Sequence, residues 1–380
     1  EIAGKIGYPV MVRPSYVLGG SGMEIIYDDE SMTNYMKTVI NMSSDHPILI
    51  DRFLNNALEC EADAISDGTN VFLPAVIEHI ELAGIHSGDS ACIIPSVHIS
   101  PKNMNIIKKY TEKIAKEMHV KGLMNMQYAI ENNKVYLLEA NPRASRTVPL
   151  VSKICNIRMV SLATNIVTSE LTGNPSPVSE LQDQEIPYYG VKEAVFPYNM
   201  FQEIDPVLGP EMHSTGEVLG VAHSYGEAFY KSQEAIHSKL PLEGTVLISV
   251  NLQDKSEVAK IAKSFVDNSF QIIATGITYA IIREAGIPAK KVKNLYEGRP
   301  NILDWITNEK IQLIITSPIG KESIHDDSYL RKAAVKFKIP YITTISAAKA
   351  TAESIHYMKT HTQGDLKSLQ EWHREIREKS

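Results

Sequence analysis

The pattern of polar and apolar residues predicts short strands through most of the first half of the chain. The clearest lies at residues 58–68, LECEADAISDG, where Glu59, Glu61 and Asp63 alternate with small apolar residues. Successive side chains of a strand point to opposite sides of a sheet, so this spacing predicts a strand with one acidic face. Further strands are predicted at residues 8–14, 24–28, 47–54 and 71–79, and a helix from Asp28 or Asp29 to about Met42.

A longer helix is predicted to begin at Ser100. Serine is a favoured N-cap residue, and Pro101 suits the first turn. Apolar residues then recur at spacings of three and four, which predicts a buried stripe along one side of the helix. The stripe consists of Ile106, Ile107, Tyr110, Ile114 and Met118. We interpret this helix as part of the core.

Residues 122–141 predict a hairpin whose register follows from the sequence. A three-residue loop at 132–134 leaves one face of the hairpin polar and the other apolar. A two- or four-residue loop would shift the pairing by one and mix the faces, which a half-buried sheet resists. Asparagine in the loop supplies the positive φ that such turns need. The predicted pairs are Gln127 with Glu139, Asn125 with Asn141, Tyr128 with Leu138, and Ile130 with Tyr136.

The polar face of this hairpin carries candidate metal ligands. Glu139 and Asn141 are two residues apart, so they share a face of their strand, and Gln127 joins them from the neighbouring strand. Oxygen-bearing side chains of this kind suit a hard cation such as Mg²⁺. Arg143 and Arg146 follow directly, and arginine suits phosphate. The combination favours a metal and phosphate site over a row of solvated side chains.

Two loops rich in glycine and hydroxyl residues each have two interpretations. The segment SYVLGGSGM, residues 15–23, follows Arg13 and joins two predicted strands. Glycine lets backbone N–H groups approach phosphates closely, so this loop could fold over a nucleotide, or it could be a flexible hairpin tip. The loop ELAGIHSGDSAC at residues 81–92 includes His86 and Ser87, and it could be a functional loop or an ordinary surface loop.

From residue 242 onward the pattern is different, with a change of composition near residue 238. Strand-like and helix-like segments alternate, which predicts a parallel, doubly wound sheet. The predicted strands are 244–250, 270–275, 291–295, 311–316 and 340–344, and the predicted helices are 255–267, 278–285, 301–308, 328–338 and 345–358. Residues 364–380 predict a charged helical tail.

Hydroxyl residues stand at the ends of several of these predicted strands. They are Thr275, Thr278, Thr316, Ser317, Thr343 and Thr344. In doubly wound sheets, ligands bind beyond the carboxyl ends of the strands, so these hydroxyls could bind a phosphate together with Lys255 and Lys293. Each hydroxyl could instead be a helix N-cap, and the sequence leaves both interpretations open.

Composition narrows the class of protein. The 380 residues suffice for two or three domains, and the net charge of −7 argues against a nucleic-acid partner held by bulk electrostatics. There is no apolar run long enough to predict a membrane span, and no segment resembles a signal peptide. The three cysteines are far apart, which favours a reducing cytosol. Because the first residue is Glu1, we expect the chain to be a piece of a longer polypeptide.

Four segments resemble the large subunit of carbamoyl phosphate synthetase. They are GYPVMVRPSYVLGGSGM, EHIELAGIHSGDSAC, KGLMNMQYAIENNKVYLLEANPRASRTVPLVSK and LGPEMHSTGEVLGVAHSYGEAFYKSQ, and EAGIPAKKVKNLYEGRPNI adds a looser match. The resemblance covers essentially the whole chain. It implies an ATP-grasp domain lacking its N-terminal part at residues 1–171, the remainder of the carbamoyl phosphate synthetic region at 172–237, and a methylglyoxal-synthase-like allosteric domain at 238–380.

The resemblance also implies an activity and its partners. This half of the family's enzyme phosphorylates carbamate with a second ATP to give carbamoyl phosphate. The overall reaction uses glutamine, bicarbonate and two ATP and supplies arginine and pyrimidine biosynthesis. It implies a glutaminase small subunit as partner, an oligomer at full length, and a cytoplasmic location.

Residue roles follow from the same resemblance. Arg13 would bind ATP phosphates, with the 19–22 loop closing over them. The adenine and ribose contacts would be Arg52, Leu54 and Glu59, although the family often has His where Arg52 stands. The nucleotide pocket would be lined by Gly84, Ile85, His86 and Ser87. Two Mg²⁺ or Mn²⁺ ions would be held by Gln127, Glu139 and Asn141. The transferring phosphoryl group and the carbamate would be stabilised by Arg143 and Arg146.

In the allosteric domain, Lys255, Thr275, Thr278, Lys293 and Thr316 fall where the family binds nucleotide effectors such as UMP or IMP. Two departures concern this region: Pro318 stands where a hydroxyl is often found, and Asn294 stands where a lysine can occur. Some relatives bind ornithine, and the corresponding residues here are Glu81, Asp89, Glu193 and Thr343.

Two alternative functions compete with this one. The first is another ATP-grasp enzyme, either a biotin carboxylase or a purine-pathway ligase. The chain has no biotinyl-type AMKM segment, and the appended α/β domain also argues against this alternative. The second is a non-catalytic module for effector binding and assembly. We expect the isolated chain to make little or no carbamoyl phosphate.

Overall fold

The computed structural model describes residues 1–15, 22–40, 47–54, 57–197, 207–250, 255–317, 321–362, 364 and 366–379. For residues 38–40, 170, 255–256, 321–327 and 379 it describes only the backbone. The described strands form three sheets: a small antiparallel sheet near the N-terminus, a large antiparallel sheet, and a parallel sheet in the C-terminal part. The mixed α/β and α+β class predicted from the sequence is confirmed.

The small sheet is built from local alternation. Its elements are α1 (Ile2–Ile6), β1 (Val10–Pro14), β2 (Glu24–Ile26), α2 (Asp29–Ile40) and β3 (Ile48–Arg52). Strand β1 lies between β2 and β3 and pairs antiparallel with both. Its alternate residues Val10 and Val12 are buried with Tyr35 of α2. The Asp28 carboxylate accepts a hydrogen bond from the Ser31 backbone N–H at 2.6 Å and so caps α2. Most of the glycine-rich 19–22 loop and the predicted helix end at Met42 lie outside the described residues.

The large sheet carries the acidic strand at its centre. Its strands are β4 (Leu58–Asp67), β5 (Val71–Phe72), β6 (Val76–Leu82), β7 (Cys92–Ile94), β8 (Lys121–Glu131), β9 (Lys134–Asn141), β10 (Tyr189–Val195) and β11 (Gly216–Ala222). The order is β11-β10-β7-β6-β4-β8-β9, with β5 paired to β4, and all pairs are antiparallel. The predicted strand at 71–79 is broken into β5 and β6, and Pro74, which cannot donate to a ladder, lies at the break.

The hairpin between β8 and β9 has a different turn from the predicted one. Its loop has two residues, Asn132 and Asn133, with φ values of 49° and 62°, and Glu131 pairs with Lys134. The three-residue loop was therefore wrong. The predicted partners of Tyr128 and Ile130 were also wrong, because these residues pair with Leu137 and Val135. A register shift then follows between Gln127 and Tyr128, and it restores the predicted pairs Gln127 with Glu139 and Asn125 with Asn141.

Helix α3 (Pro101–Glu117) begins as predicted, with the Ser100 hydroxyl accepting from the Asn103 backbone N–H at 3.3 Å. Its predicted stripe was partly wrong, because Tyr110 and Met118 are exposed. The buried residues recur every four positions instead and are Asn103, Ile107, Thr111 and Ala115. Small side chains on this face let the helix lie close to the sheet, where the Thr111 hydroxyl contacts the Tyr128 hydroxyl at 2.9 Å.

The C-terminal part forms the predicted parallel sheet. Its strands β12 (Thr245–Val250), β13 (Gln271–Thr275), β14 (Lys290–Val292), β15 (Leu313–Ser317) and β16 (Tyr341–Ile342) have the order β14-β13-β12-β15-β16. The remaining helices of the chain are α4 (Val148–Ile154), α5 (Met159–Thr172), α6 (Tyr225–Ala235), α7 (Lys255–Asp267), α8 (Gly276–Glu284), α9 (Ile302–Thr307), α10 (Lys321–Lys336), α11 (Ile345–Thr360) and α12 (Leu369–Lys379). One core cluster joins α6 and α11 with residues of both larger sheets, so it crosses the predicted boundary at residue 238.

The charged tail forms α12 and packs on the first half of the chain. Trp372 is buried, with its ring 5.0 Å from that of Tyr188 and 4.9 Å from that of His223. His373 Nε2 lies 2.6 Å from the carbonyl oxygen of Lys153 in α4. The helix therefore links the end of the chain to the helix that follows the Arg143–Arg146 segment.

Candidate functional site

A cavity of about 840 Å³ lies between the small sheet and the large sheet. All the ATP-site and metal-site residues predicted from the sequence line it. They are Arg13, Arg52, Leu54, Glu59, Gly84, Ile85, His86, Ser87, Gln127, Glu139, Asn141, Arg143 and Arg146. Residues 130 positions apart in the chain thus meet because β1, β3, β8, β9 and the loop after β6 all border the same space. The volume is in the range that binding clefts for small molecules occupy.

One edge of the cavity is formed by the candidate metal ligands. Gln127 and Glu139 are directly paired, and Asn141 is two residues further along β9. The Asn141 side-chain nitrogen donates to Glu139 Oε1 at 2.7 Å, and the Gln127 side-chain nitrogen donates to Ser87 Oγ at 3.1 Å. Because the nitrogen end of each amide is bound to the protein, its oxygen end is the atom left to coordinate a cation.

This donor set fits a magnesium ion that arrives with phosphate. It offers one carboxylate and two amide oxygens, and Mg²⁺ is commonly bound by one or two carboxylates together with substrate phosphates. No group of three or more His, Cys, Asp or Glu residues suited to a metal occurs in the parts of the chain that the structure describes. The candidate site therefore depends on amide ligands and on a bound nucleotide.

The two arginines follow this edge, and both are exposed but have different partners. Arg143 Nη1 donates to the Ala144 carbonyl at 3.0 Å. Arg146 Nη1 donates to the Ser214 hydroxyl at 3.2 Å, and the backbone N–H of Ser214 donates to Asp89 Oδ1 at 2.9 Å. Asp89 therefore holds Ser214, which in turn holds Arg146. Both arginines line the cavity, where guanidinium groups can bind an anion.

Another part of the cavity lining is apolar. Leu137 and Leu138 line it although they are consecutive strand residues, because the register shift in β9 interrupts the normal alternation. Both are partly exposed, at 41% and 38%, which leaves apolar surface free inside the cavity. The sequence did not predict these leucines, since strict alternation places them on opposite faces of the strand. Apolar surface with Leu54 and Tyr136 nearby suits a planar base.

The glycine of the neighbouring loop is required by close packing. Gly84 has φ of +110°, and a Cβ atom there would lie 2.8 Å from the ring of Phe53. A larger residue would therefore displace Phe53, which also lines the cavity. In the same loop, burial lowers the pKa of His86, and its Nδ1 accepts from the Gly88 backbone N–H at 3.0 Å. Burial and this hydrogen bond both favour the neutral imidazole of His86.

A buried acidic row on β4 consists of Glu59, Glu61 and Asp63, and the first two line the cavity. Burial raises the pKa of Glu59 to about 7, while burial and the charge of Glu61 raise that of Asp63 to about 6. Burial opposes ionisation of Glu61 as well, but His79 and hydrogen bonds from Ser87 and Asn125 lower its pKa to about 2. His79 lies between Glu59 and Glu61, 3.7 and 3.4 Å away. Burial alone would lower the pKa of His79, and Cys92 and these carboxylates raise it instead.

Further polar residues line the cavity and were not predicted as site residues. They include Ser15, Asp51, Glu61, Asn125, Ser145 and Thr147. The sequence placed Glu61 on an acidic strand face and Asn125 opposite Asn141, so the spacing of polar residues could have identified these two as site residues. Ser145 and Thr147 flank Arg146 in sequence, and no spacing distinguished them from other turn residues.

The hydroxyl residues predicted to bind an effector lie at the ends of the parallel strands. The Ser249 and Thr275 hydroxyls are 2.8 Å apart, and the Thr278 hydroxyl accepts from the Val250 backbone N–H at 3.2 Å. Thr275 precedes α8 without a side-chain capping bond, whereas Thr344 accepts from the Ala347 N–H at 3.2 Å and is a true N-cap of α11. The N-cap interpretation is therefore confirmed for Thr344, and effector binding at Thr275 stays a prediction.

The remaining predicted effector residues are more dispersed. Thr316 is buried, and its hydroxyl has no hydrogen-bond partner among the described residues. Lys293 is exposed, and its Nζ donates to the Arg299 carbonyl at 3.2 Å. Only the backbone of Lys255 is described, and Pro318 lies outside the described residues. A cavity of about 230 Å³ opens beside this region, lined by Ser249, Asn294, Leu295, Tyr296, Ile302, Leu303, Ile306, Tyr329, Leu330 and Ala333.

The candidate ornithine residues are mostly buried carboxylates. Glu81 accepts from the Ala91 N–H at 2.7 Å, and Glu193 accepts from the Gln233 side chain at 2.6 Å. Burial and the nearby charge of Glu81 raise the pKa of Glu193 to about 8. Asp89 instead accepts from the backbone N–H groups of residues 213 and 214. Thr343 directly follows β16.

Comparisons with known proteins assign the family. Residues 1–172 match the family described as carbamoyl-phosphate synthase L chain, ATP binding domain, and residues 257–343 match the MGS-like domain. The carbamoyl phosphate synthase large chain of Methanosarcina barkeri is 42% identical over 380 residues, which cover 100% of this chain and 95% of that protein. The chain belongs to the carbamoyl phosphate synthase large chain family.

Other members of the carbamoyl phosphate synthase large chain family match as closely. The C-terminal section of the large chain of Aquifex aeolicus is 44% identical over 372 residues, covering 94% of this chain and 69% of that protein. The large chain of Methanothrix thermoacetophila is 45% identical over 380 residues, covering 99% of this chain and 35% of that protein. The chain thus spans about a third of the length of the long relatives that it matches.

These matches confirm the predicted family and fold, an ATP-grasp domain followed by an MGS-like parallel sheet. They also favour carbamoyl phosphate synthase over the other ATP-grasp enzymes that were considered, the biotin carboxylases and purine-pathway ligases.

No single helix in the described parts of the chain is long and apolar enough to cross a membrane. Among these residues, one pair of helices, Val148–Ile154 and Met159–Ser169, has the required length and apolar composition when taken together, but the two helices are bent by 111°.

Proposed function

We propose that the 840 Å³ cavity binds ATP with divalent metal and transfers its γ-phosphoryl group to carbamate, giving carbamoyl phosphate and ADP. A carbamate oxygen would form a bond to the γ-phosphorus as the bond to the β–γ bridging oxygen breaks. The single observation that carries the proposal is the convergence of the Gln127–Glu139–Asn141 edge with Arg143 and Arg146 in one cavity. Membership of the carbamoyl phosphate synthase large chain family supports carbamate as the proposed acceptor.

The proposed binding of ATP follows from the two kinds of surface that line the cavity. The apolar residues Leu54, Leu137 and Leu138 would hold adenine. The polar edge would hold the phosphates together with Arg13, which forms an ion pair with Asp51 at 3.4 Å. Hydrophobic contact with the base and charge at the phosphates would fix the orientation of the nucleotide.

The proposed chemistry depends on charge and position. Bound Mg²⁺ or Mn²⁺, two ions in our proposal, would neutralise phosphate charge. Glu139, Gln127 and Asn141 would hold the metal, while Arg146, oriented by Ser214, would stabilise charge on the transferred group. Arg143 would bind the carbamate. No side chain is required to form a covalent bond, which agrees with the electrostatic character of phosphoryl transfer.

The test uses the partial reaction in which the complete enzyme forms ATP from ADP and carbamoyl phosphate. Glu139→Gln should abolish this reaction, because it removes the one carboxylate of the metal edge. Glu112→Gln is the matched control, since Glu112 pairs with Lys116 on the exposed side of α3. Normal activity and normal Mg²⁺ dependence in Glu139→Gln would remove Glu139 from the site. In the 380-residue chain alone we expect little or no turnover, and robust turnover there would contradict that part of the proposal.

We also propose that the C-terminal parallel sheet binds a nucleotide effector such as UMP or IMP. The supporting observation is the hydroxyl cluster at the ends of β12 and β13 beside the 230 Å³ cavity. Calorimetric titration with UMP, IMP and ornithine tests it, and absence of any heat of binding would contradict it. A glutaminase subunit as partner, oligomerisation, a cytoplasmic location and roles in arginine and pyrimidine synthesis belong to the same proposal.

A further inference from the structure

The turn that carries both arginines is tied to the buried acidic strand at two points. The Ser145 hydroxyl donates to Asp63 Oδ1 at 2.7 Å. The Thr147 hydroxyl lies 2.6 Å from Asp63 Oδ2 and 2.9 Å from Glu61 Oε2. Both carboxyl groups and Thr147 are almost fully buried. Residues more than 80 positions apart in the chain thus meet beneath the site.

A shared amide completes this network. The Asn125 side-chain nitrogen donates to Glu61 Oε2 and to Asp63 Oδ1, both at 2.9 Å. Asn125 also pairs with Asn141 across β8 and β9, so the network reaches the metal edge as well as the turn. The side chain of Asp63 therefore contacts β8, through Asn125, and both ends of the Ser145–Thr147 segment. Removal of one of its oxygens would leave buried donors without a partner.

Hydrogen bonds explain how two acids can lie side by side at this turn. Four short oxygen–oxygen contacts join Ser145, Thr147 and the carboxyl groups, including 2.8 Å between the two hydroxyls. The two hydroxyls and the Asn125 amide donate hydrogens to the carboxyl oxygens, which offsets the repulsion between adjacent carboxylates.

The guanidinium groups have few contacts that would hold them in place. Within the described part of the chain, the side chain of Arg143 donates to its neighbour Ala144, and that of Arg146 donates to Ser214. The turn backbone has one hydrogen bond to the metal-edge strand, from Arg143 N–H to the Asn141 carbonyl at 2.7 Å. The position of both arginines relative to Glu139 therefore depends on the anchors at Ser145 and Thr147.

We propose that Asp63 and Thr147 are positioning residues that fix the Arg143–Arg146 turn against the metal edge for phosphoryl transfer. This inference rests on the function proposed above. Neither residue is required to touch the nucleotide. Their role is to hold the arginines to within the roughly 1 Å that phosphoryl transfer requires, because a misplacement of that size can reduce the rate by about 100-fold.

The test compares two variants of one residue. Thr147→Val keeps the shape of the side chain and removes the hydroxyl, whereas Thr147→Ser keeps the hydroxyl. In the ATP-forming partial reaction of the complete enzyme, we expect Thr147→Val to lower kcat by about 10- to 100-fold with KM for Mg·ADP within about twofold. Thr147→Ser should stay within about threefold of the wild-type kcat. Equal kcat values for the two variants would overturn the proposal.

Two further measurements separate positioning from general stability. Thr111→Val also removes a buried hydroxyl, the one bonded to Tyr128, and should leave kcat unchanged. Asp63→Asn combined with Thr147→Val should lower kcat no further than the more damaging single change, because both act on one contact. Additive losses, or a KM that rises in step with the fall in kcat, would overturn the inference. Inactive wild-type enzyme would instead contradict the proposed function.

Discussion

Gln127 lies directly opposite Glu139, although the turn between their strands has only two residues. Regular pairing from that turn would place Gln127 opposite Leu138. One additional residue on β9 corrects the register, so that a carboxylate and an amide oxygen share the edge of the cavity. The same irregularity brings two consecutive leucines, Leu137 and Leu138, into the lining of the cavity. A single bulge thus sets both the metal edge and the surface proposed for the base.

The turn that precedes this bulge should be sensitive to β-branched residues. Asn132 is exposed and has φ of 49°, a left-handed conformation that glycine and asparagine tolerate. We expect Asn132→Gly to change the free energy of unfolding by less than about 0.5 kcal/mol and Asn132→Val to lower it by about 1–2 kcal/mol. Urea denaturation followed by circular dichroism measures both. Equal stability of the two variants would show that the turn does not impose this conformation.

Close packing between β11 and α6 should make one glycine irreplaceable. A Cβ atom at Gly220 would overlap the backbone oxygen of Ala228 and lie 2.6 Å from the backbone nitrogen of Ser232. Since neither atom belongs to a flexible side chain, Gly220→Ala should lower the free energy of unfolding by about 3 kcal/mol or more. Gly209→Ala is the control, because a Cβ there meets nothing within 4 Å. A Gly220→Ala protein as stable as the control would contradict this packing.

Docking of the C-terminal helix should depend on Trp372. Its ring is buried against Tyr188 and His223, so Trp372→Ala should cost about 3–5 kcal/mol and release α12 from α4. Release should appear as faster tryptic cleavage after Arg374 and Arg377. Trp372→Phe retains an aromatic ring and should remain more protected than Trp372→Ala. Unchanged cleavage rates in Trp372→Ala would show that other contacts hold the helix.

Stability should fall with rising pH because of Glu193. Its pKa is raised from 4.5 to about 8 in the folded state, chiefly by burial. The folded state therefore binds a proton more tightly than the unfolded state, and this contribution is complete below about pH 4.5 and lost as the pH rises to about 8. Glutamine does not titrate, so Glu193→Gln should remove this pH-dependent loss of stability.

The free energies of unfolding of the wild-type and Glu193→Gln proteins should therefore diverge as the pH rises. Between about pH 4.5 and 8 their difference should grow by at most about 1.4 kcal/mol per pH unit. Urea denaturation at pH 5.5, 7 and 8.5 measures it. Glu217→Gln is the matched control, since Glu217 is exposed on the strand paired with that of Glu193. A constant difference across the three pH values would contradict the raised pKa of Glu193.

Local sequence patterns predicted much of the candidate site. The alternation on β4, the pairing of Gln127 with Glu139, and the arginines beyond them all follow from the spacing of polar residues along single strands and their turns. The predicted loop of the hairpin was wrong because a bulge inserts a residue without altering the composition of either strand. On α3, Tyr110 and Met118 were expected to be buried because apolar residues recur there at spacings of three and four. Close approach to the sheet instead selects the face with the smaller residues Thr111 and Ala115.

By itself, the sequence determined the type and order of many of the elements, the candidate side chains of the metal edge, and the alternation typical of a parallel C-terminal sheet. These properties depend on residues close together in the chain, where periodicity and turn chemistry act. The tertiary structure decided that Asp63 and Thr147 meet beneath the arginines, that the acidic row is buried, and that Trp372 returns to Tyr188. Such contacts join distant segments, and their existence depends on how whole faces pack, which spacing along the chain does not encode.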